Sequence, residues 1–298
     1  RSGKYTATAM AKAYLESCDP NAILFTIGDN DTFPLWYAQE IEGVRTDVKL
    51  VNTSLFNTDW YIDQMKRKSY ESEALPISFT HSEYVGDKLD YVIYIPKTES
   101  RWEIKEFLKF LKNPDATVQM NNGQSMHFYP TDKIRIPVDK QAIIKNKVVA
   151  PKYFDSIVPF IDVDIKGRAL YKNRVMMLDI VANNDWKRPI YFSPGSFDDD
   201  DYLWMKNYLQ LEGLIYKLVP VRTEIPKDGS PLDLGSIDTD KMLKIVNKWE
   251  WGNSDSDKIY HDPETRRESI NYRSNLARLM KKLIEEGKTA KAKEVIDL

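Results

Sequence analysis

The order of apolar runs near the start of the chain constrains the fold more than any other feature of the sequence. A short apolar run at 22–27 is followed by Asp31 and Thr32, which predict the start of a helix. A second apolar run at 48–51 precedes another predicted helix, which begins near Asn57. Apolar runs this short are typical of buried strands. The strand–helix–strand–helix order therefore predicts parallel strands that are joined by a right-handed crossover.

The rest of the chain divides by composition and pattern. Short β-like runs with turn residues between them predict a β-rich insertion at about 70–165, after which a helix and a third strand at 188–193 resume the α/β pattern. Residues 222–236 are rich in Pro, Gly, Asp and Ser and predict a linker, and 237–298 has a helical pattern. We therefore expect an α/β domain over 1–221, with a small, mostly parallel, Rossmann-like sheet, followed by a helical end.

The helical end resembles a tetratricopeptide unit. Five small or apolar residues follow one another at spacings of 4, 4, 5 and 4 along its last two predicted helices: Leu279, Leu283, Gly287, Ala292 and Ile296. One partial repeat is too short for a stable array, which needs about three repeats. The pattern predicts either an antiparallel helical hairpin or the first repeat of an array, and in both cases a surface on which a protein partner could dock.

Composition excludes several classes of protein. A net charge of −2 gives no basic field for nucleic acid, and the single cysteine, Cys18, excludes a disulfide framework and a multi-cysteine zinc site. No apolar run approaches the length of a membrane span. The chain opens at Arg1 without a Met, from which we expect a processed product or a piece of a longer polypeptide.

Polar side chains follow each predicted strand of the sheet. Because ligands of open α/β sheets bind at the carboxyl ends of the strands, these loops are predicted to converge on one edge. Ser193-Pro194-Gly195 follows the third strand, and the predicted ligand-binding residues follow the first two: Asp29, Asn30, Asp31, Thr32, Asn57, Asp59 and Trp60. Helix capping explains Asp, Asn and Thr at such positions equally well, and core packing explains Trp60. Both alternatives stay open at this stage.

Two acidic patterns raise the question of metal binding. Asp29 and Asp31 fit the short Asp-x-Asp pattern by which sugar-nucleotide transferases hold Mn²⁺, although such a short pattern is common. The run 198–201 of four aspartates is explained by a solvated helix start. The three histidines share no metal-ligand spacing. We therefore predict no catalytic residue, metal or cofactor in this stretch of chain, with Asp29 and Asp31 as the alternative metal ligands.

Five motifs together resemble a known family. They are AILFTIGDNDTFPLWYAQE at 22–40, GVRTDV at 43–48, NTDWYIDQM at 57–65, RPIYFS at 188–193 and YLQLEGL at 208–214. They are similar to the soluble C-terminal region of a bacterial membrane protein family that resembles protein O-mannosyltransferases of the GT-C class. That family often continues into tetratricopeptide-like helices, and the motifs extend from near the start of the chain to about residue 221.

The resemblance implies a place and a role for the chain. It implies an extracytoplasmic domain at the periplasmic face of the inner membrane, attached to the membrane-embedded part of the same polypeptide. In such enzymes the donor is a lipid-linked sugar, and the catalytic carboxylates lie on a loop between membrane helices that this chain lacks. The chain is therefore expected to be non-catalytic and to contribute to acceptor recognition, of a peptide or a glycan, or to partner docking.

Two other functions remain as alternatives. One is a soluble, metal-dependent enzyme that binds a sugar nucleotide through Asp29 and Asp31. The other is a tetratricopeptide-type scaffold, in which the helices at 263–298 bind partners and the α/β part only supports them.

Overall fold

The computed structural model describes residues 3–121, 123–194, 201–225 and 233–298. Gly195, the aspartates at 198–200 and the stretch 226–232 of the predicted linker lie outside the described residues. Within the described ranges, no helix combines the length and the apolar character that crossing a membrane requires.

Helices and short strands alternate along the described chain. The strands are β1 (Ile23–Thr26), β2 (Lys49–Asn52), β3 (Val92–Tyr94), β4 (Trp102–Glu103), β5 (Thr117–Gln119), β6 (Ser125–Tyr129), β7 (Lys133–Pro137), β8 (Phe160–Asp164), β9 (Ala169–Leu170), β10 (Ile190–Phe192), β11 (Leu209–Glu212) and β12 (Ile215–Leu218). The helices are α1 (Thr6–Ser17), α2 (Asp29–Glu40), α3 (Asp59–Met65), α4 (His81–Tyr84), α5 (Ile104–Lys112), α6 (Lys140–Lys145), α7 (Lys172–Asn183), α8 (Thr239–Val246), α9 (Pro263–Glu285) and α10 (Thr289–Ile296). Single 3₁₀ segments occupy Leu55–Asn57, Pro151–Ser156 and Asp201–Tyr208.

The main sheet has five strands in the order β11-β12-β10-β1-β2. The three strands β10, β1 and β2 are parallel, as predicted, while β12 runs antiparallel to β10 and β11 antiparallel to β12. The α/β class is therefore confirmed, and the hairpin β11–β12 makes the sheet mixed. Ile23, Leu24 and Phe25 of β1 are at most 2 % exposed, because β1 lies inside the sheet and is covered on both faces. Each such side chain contributes about 1.5–3 kcal/mol by burial.

The predicted insertion forms two further small sheets. One has the order β5-β6-β3-β9 and the other the order β4-β7-β8. Helix α5 packs against β4, β6 and β7 and buries Ile104, Phe107 and Leu111. A β-rich insertion is thus present, and its last short strand, Ala169–Leu170, extends it a few residues beyond the predicted limit.

Two helix predictions need correction. Helix α2 begins two residues earlier than Asp31, because the Asp31 carboxylate accepts the backbone N–H of the N-cap Gly28 and so occupies the third helical position. Pro34 consequently lies in the second turn and not in the first. The sequence pattern at 202–209 also predicts a helix, whereas the structure has a 3₁₀ segment with a kink at Met205 that leads directly into β11.

The two last helices pack against each other as the predicted hairpin. Leu279 and Leu283 of α9 and Ala292 of α10 are buried, as the spacing predicts. Ile296 is an exception, since it is 69 % exposed and Val295 takes the buried position. The hairpin is part of the same hydrophobic core as the main sheet.

Candidate functional site

The polar ends of β1, β2 and β10 meet at one edge of the sheet, as predicted. The Thr32 hydroxyl donates to the Thr26 hydroxyl (2.8 Å) and accepts from the Asn52 amide (2.9 Å). The backbone N–H groups of Thr53 and Ser193 each donate to β1 carbonyls at 2.8 Å. These groups satisfy one another, so Thr32, which is fully buried, stabilises the edge and does not face a ligand.

Asp31 lies at the centre of this edge. Its carboxylate accepts the backbone N–H groups of Ile27 (3.0 Å) and Gly28 (2.8 Å) and the hydroxyl of Ser193. The bond from the N-cap Gly28 is the capping contact, and the bonds from Ile27 and Ser193 tie the start of α2 to the ends of β1 and β10. Capping and these tertiary bonds together engage the Asp31 carboxylate.

Asn57 and Asp59 belong to a second cluster, which joins α3 to the start of α7. The side-chain amide oxygen of Asn57 accepts the backbone N–H of Asn173 (3.0 Å). The buried ammonium of Lys172 donates to Asp59 (2.9 Å), and Asp59 also accepts the backbone N–H of Gly86 (2.8 Å). Burial alone would raise the pKa of Asp59, but these two donors lower it below its usual value. The cluster closes the insertion onto the sheet.

Trp60 stands beside this cluster with its ring largely outside the core. The side chain is 58 % exposed, and its ring meets that of the buried Tyr61 edge to face at 5.5 Å. Core packing, one of the two interpretations of this residue, therefore applies to Tyr61 and not to Trp60. No contact with the cleft described next is found for Trp60 among the described residues.

A cleft of about 1190 Å³ opens where α1 and the start of α2 face the first half of α9. Asp29 and Asn30 lie on the α2 side, where both are exposed. Across the cleft, the Asn30 amide is 3.4 Å from the Glu264 carboxylate of α9. The structure therefore separates the predicted site residues: Asp29 and Asn30 line the cleft, whereas Asp31, Thr32, Asn57, Asp59 and Trp60 do not.

Aromatic rings line the cleft on both sides. Phe33 of α2 is half exposed and stacks on Trp36 at 5.6 Å. On the opposite side, Tyr272 of α9 packs against Trp251 at 5.5 Å, and both rings line the cleft. Trp249 supports them from the core at 4.9 Å from Tyr272. The rings offer flat apolar faces next to charged groups.

The lining of the cleft is mainly acidic. It contains seven carboxylates against three cationic side chains, Lys4, Arg266 and Arg273. Lys4 is already paired with Asp262 inside the lining. Charge of one sign along a concave surface attracts ligands of the opposite sign.

Glu268 is a partly buried carboxylate of the cleft with a perturbed pKa. It lies half-buried on α9, where its carboxylate accepts the amide of Asn271 at 3.2 Å. Burial raises the pKa of Glu268, and the negative charges of Asp31 and Glu264 add to the effect. The buried hydroxyl of Tyr14 on α1 has a pKa raised by its burial and, to a smaller extent, by the charge of Glu268.

The second half of α9 is anchored beside the main sheet. The Asn275 amide donates to the carbonyl of Gly213 (3.0 Å), and Arg278 donates to the carbonyl of Gly235 (2.7 Å). The ion pair between Lys241 and Asp19 ties helix α8 to the end of α1. Burial alone would raise the pKa of Asp19, but Lys241 and the buried Lys217 together lower it to about 2. The walls therefore come from segments that are far apart in the sequence.

No group of three or more potential metal ligands is found among the described residues. Asp29 points its charge to the cleft, and the Asp31 carboxylate is occupied by its three donors. Metal binding by Asp29 and Asp31 stays a prediction, and the geometry of the described residues does not support it.

Sequence reasoning missed the α9 wall of the cleft, with Glu264, Glu268 and Tyr272. The local sequence indicates only a polar helix that begins after the N-cap Asp262. Such a pattern is typical of any exposed helix start and does not indicate a binding surface. Long-range contacts position this wall, among them the bond of Asn275 to Gly213, 62 residues away, and a contact of that range has no local pattern.

Comparison with known proteins identifies a family. A family model described as TMEM260-associated domain 2 matches residues 7–241, which includes the main sheet, the insertion and the start of α8. Neither a curated protein nor a solved structure matches the chain.

Proposed function

Because the chain belongs to the TMEM260-associated domain 2 family, we propose that it is the non-catalytic, extracytoplasmic binding domain of a TMEM260-like membrane glycosyltransferase. Its role is to hold an acceptor, or a partner that presents the acceptor, in the cleft between α2 and α9. The membrane-embedded part of the same polypeptide supplies the catalytic carboxylates and the lipid-linked sugar donor. The family match supports the association with a TMEM260-like protein, and the motifs at 22–65 and 188–214 support the glycosyltransferase.

The cleft is the observation that carries the binding role. Its volume of about 1190 Å³ exceeds the roughly 300–1,000 Å³ of pockets for drug-sized ligands. Aromatic faces and carboxylates both line it, and this combination binds polar ligands that also have apolar faces. The strand-end edge, by contrast, has its polar groups bonded to one another.

The experiment uses the full-length membrane protein and a substitution that fills the cleft. Ala7 is exposed on α1 and lines the cleft, so Ala7→Trp adds bulk there and removes no contact. Ala277 is exposed on α9 and does not line the cleft, so Ala277→Trp is the matched control. Transfer of sugar from a lipid-linked donor to an acceptor polypeptide is measured in membranes, together with donor turnover without acceptor.

We expect Ala7→Trp to raise the acceptor KM by roughly tenfold, which corresponds to about 1.4 kcal/mol of lost binding. Donor turnover and the Ala277→Trp protein should match the wild type. The 298-residue chain alone should transfer no sugar. Transfer by the isolated chain would refute the non-catalytic role, and an unchanged acceptor KM in Ala7→Trp would refute the role of the cleft.

A further inference from the structure

The balance of unpaired charge in the cleft is negative. Asp29, Asp255 and Glu268 line the cleft and make no ion pair with any residue in the described part of the chain. Three of the seven carboxylates of the lining, Glu250, Asp262 and Glu264, are paired with Lys12, Lys4 and Arg267, and the two arginines of the lining, Arg266 and Arg273, are fewer than the four carboxylates that remain. A surface of this kind favours a ligand that brings positive charge, because complementary charge both steers and orients the ligand.

Glu268 adds a position at which a cation would be held. The carboxylate is half-buried, the negative charges of Asp31 and Glu264 disfavour its ionised form, and it accepts a hydrogen bond from the neutral Asn271 amide. An anion in such surroundings is stabilised when a cation joins it, since the cation offsets both the like charges and the lost hydration.

The aromatic rings point to the same chemistry. Trp251 and Tyr272 line the cleft on the side of Glu268. A guanidinium or ammonium group gains about 0.5–2 kcal/mol over the face of such a ring, and a guanidinium group also forms paired hydrogen bonds with a carboxylate. A neutral glycan could stack on the rings, but it would leave the carboxylate charge uncompensated.

We infer that the cleft binds a cationic segment of a polypeptide, with a lysine or arginine side chain held between the Glu268 carboxylate and the rings of Trp251 and Tyr272, and with Asp29 on the opposite wall as a second contact for positive charge. This inference rests on the proposed function, because it names the ligand of the same cleft.

The test measures binding of short probes to the whole 298-residue chain. Four probes are used: a fluorescent decapeptide of alternating Gly and Lys, the matched Gly–Glu and Gly–Gln decapeptides, and a neutral mannooligosaccharide. Fluorescence anisotropy, with calorimetry for the sugar, gives each Kd at low and high salt. The lysine peptide should bind most tightly, and its affinity should fall as salt increases.

Two substitutions locate the binding. Glu268→Gln and Asp29→Asn remove one charge each and keep the shape, and each should weaken the lysine peptide by about three- to tenfold. Glu106 on α5 and Asp155 are exposed carboxylates outside the cleft, so Glu106→Gln and Asp155→Asn are the matched controls and should bind as the wild type. Asp29 is exposed, so its variant keeps the test valid if Glu268→Gln folds poorly.

The outcomes separate the inference from the function on which it rests. Equal binding of the three peptides, or loss of binding in the controls as well as the cleft variants, refutes the cationic ligand. Binding of the mannooligosaccharide alone, abolished by Ala7→Trp, also refutes it but leaves the binding role of the cleft standing. No binding of any probe refutes both.

Discussion

At the scale of single residues, Asp29 and Asp31 show how two nearby carboxylates take different roles. Asp31 turns inward and bonds to Ile27, Gly28 and Ser193, whereas Asp29 is exposed on the cleft. The difference comes from the helix itself, since the third helical position reaches back to the N-cap and the first does not. One residue of the pair therefore supports the fold, and the other is free to meet a ligand.

This difference predicts unequal costs of substitution. Asp31→Ala should lower the free energy of unfolding by about 1–2 kcal/mol, because it leaves helix-start N–H groups unpaired. Asp29→Ala should change it by less than about 0.5 kcal/mol, as expected for an exposed side chain. Urea denaturation at neutral pH measures both. Equal losses would show that Asp31 does not cap α2.

Glu268 predicts a pH dependence of stability. Because its pKa is raised by burial and by Asp31 and Glu264, the folded chain holds this proton more tightly than the unfolded chain does. Two other titratable groups act on it. The positive charge of Arg267 lowers the pKa of Glu268, and the Tyr14 hydroxyl stays neutral because its own pKa is raised. Its contribution to stability is therefore complete below the unfolded pKa and is lost as the pH rises through the folded pKa.

In Glu268→Gln this loss should disappear. The variant should match the wild type in stability near pH 4 and exceed it near pH 7, as measured by denaturant unfolding across that range. The control Glu106→Gln should follow the wild-type curve throughout. A Glu268→Gln protein that is less stable than the wild type at pH 7 would contradict the prediction.

At the scale of elements, α9 divides into an anchored half and a half that forms the cleft. Asn275, Leu279 and Leu283 are buried in the second half, and Asn275 reaches the turn between β11 and β12. That turn depends on Gly213, which has a positive φ of 62° and sits against Ser17 and Ile245. One close-packed turn therefore contributes to the position of the cleft wall.

Replacing this glycine should move the wall. A Cβ at Gly213 would lie 2.9 Å from Ile245 and closer still to Ser17, so Gly213→Ala combines backbone strain with overpacking. Gly43 has a similar φ of 65° with nothing within 4 Å, so Gly43→Ala carries the strain alone. Thermal unfolding should show a loss of about 1–2 kcal/mol for Gly43→Ala and about 1–3 kcal/mol more for Gly213→Ala. Equal losses would mean that the turn tolerates the added methyl group.

The same elements show what the sequence could and could not predict. The strand-end edge followed from two short apolar runs with polar residues after them, because strand burial and helix starts have local signals. The partnership of Asp59 with Lys172 had none, since 113 residues separate them. Asn57 and Asp59 were predicted to face a ligand, and their actual bonds reach α7 and the insertion, which no periodicity in the sequence indicates.

At the scale of the whole molecule, the cleft is formed by the two ends of the described chain. One wall comes from α1 and α2 and the other from α9, and both walls share one hydrophobic core with the sheet. A ligand in the cleft therefore contacts segments that meet only in the folded state, and binding should stabilise the whole fold by mass action.

Hydrogen exchange can locate this effect. With the lysine peptide bound, exchange should slow in residues 263–273 of α9 and at the start of α2, which line the cleft. The second half of α9 should change little, because it is already packed in the core. The Gly–Glu peptide is the control, and it should leave the pattern as it is in the free protein. Protection confined to the insertion would place the ligand elsewhere.

The boundary of the family match has a consequence for how such proteins diversify. The match ends at residue 241, whereas the α9 wall begins at Pro263, so one wall of the cleft lies inside the matched stretch and the other lies outside it. A graft could replace 263–298 by another helical hairpin and keep the two anchoring residues, Asn275 and Arg278. It would change the ligand specificity of the cleft and leave the sheet unchanged. The α/β part would then supply the constant fold and the α2 side of the cleft, and the hairpin would be the variable part.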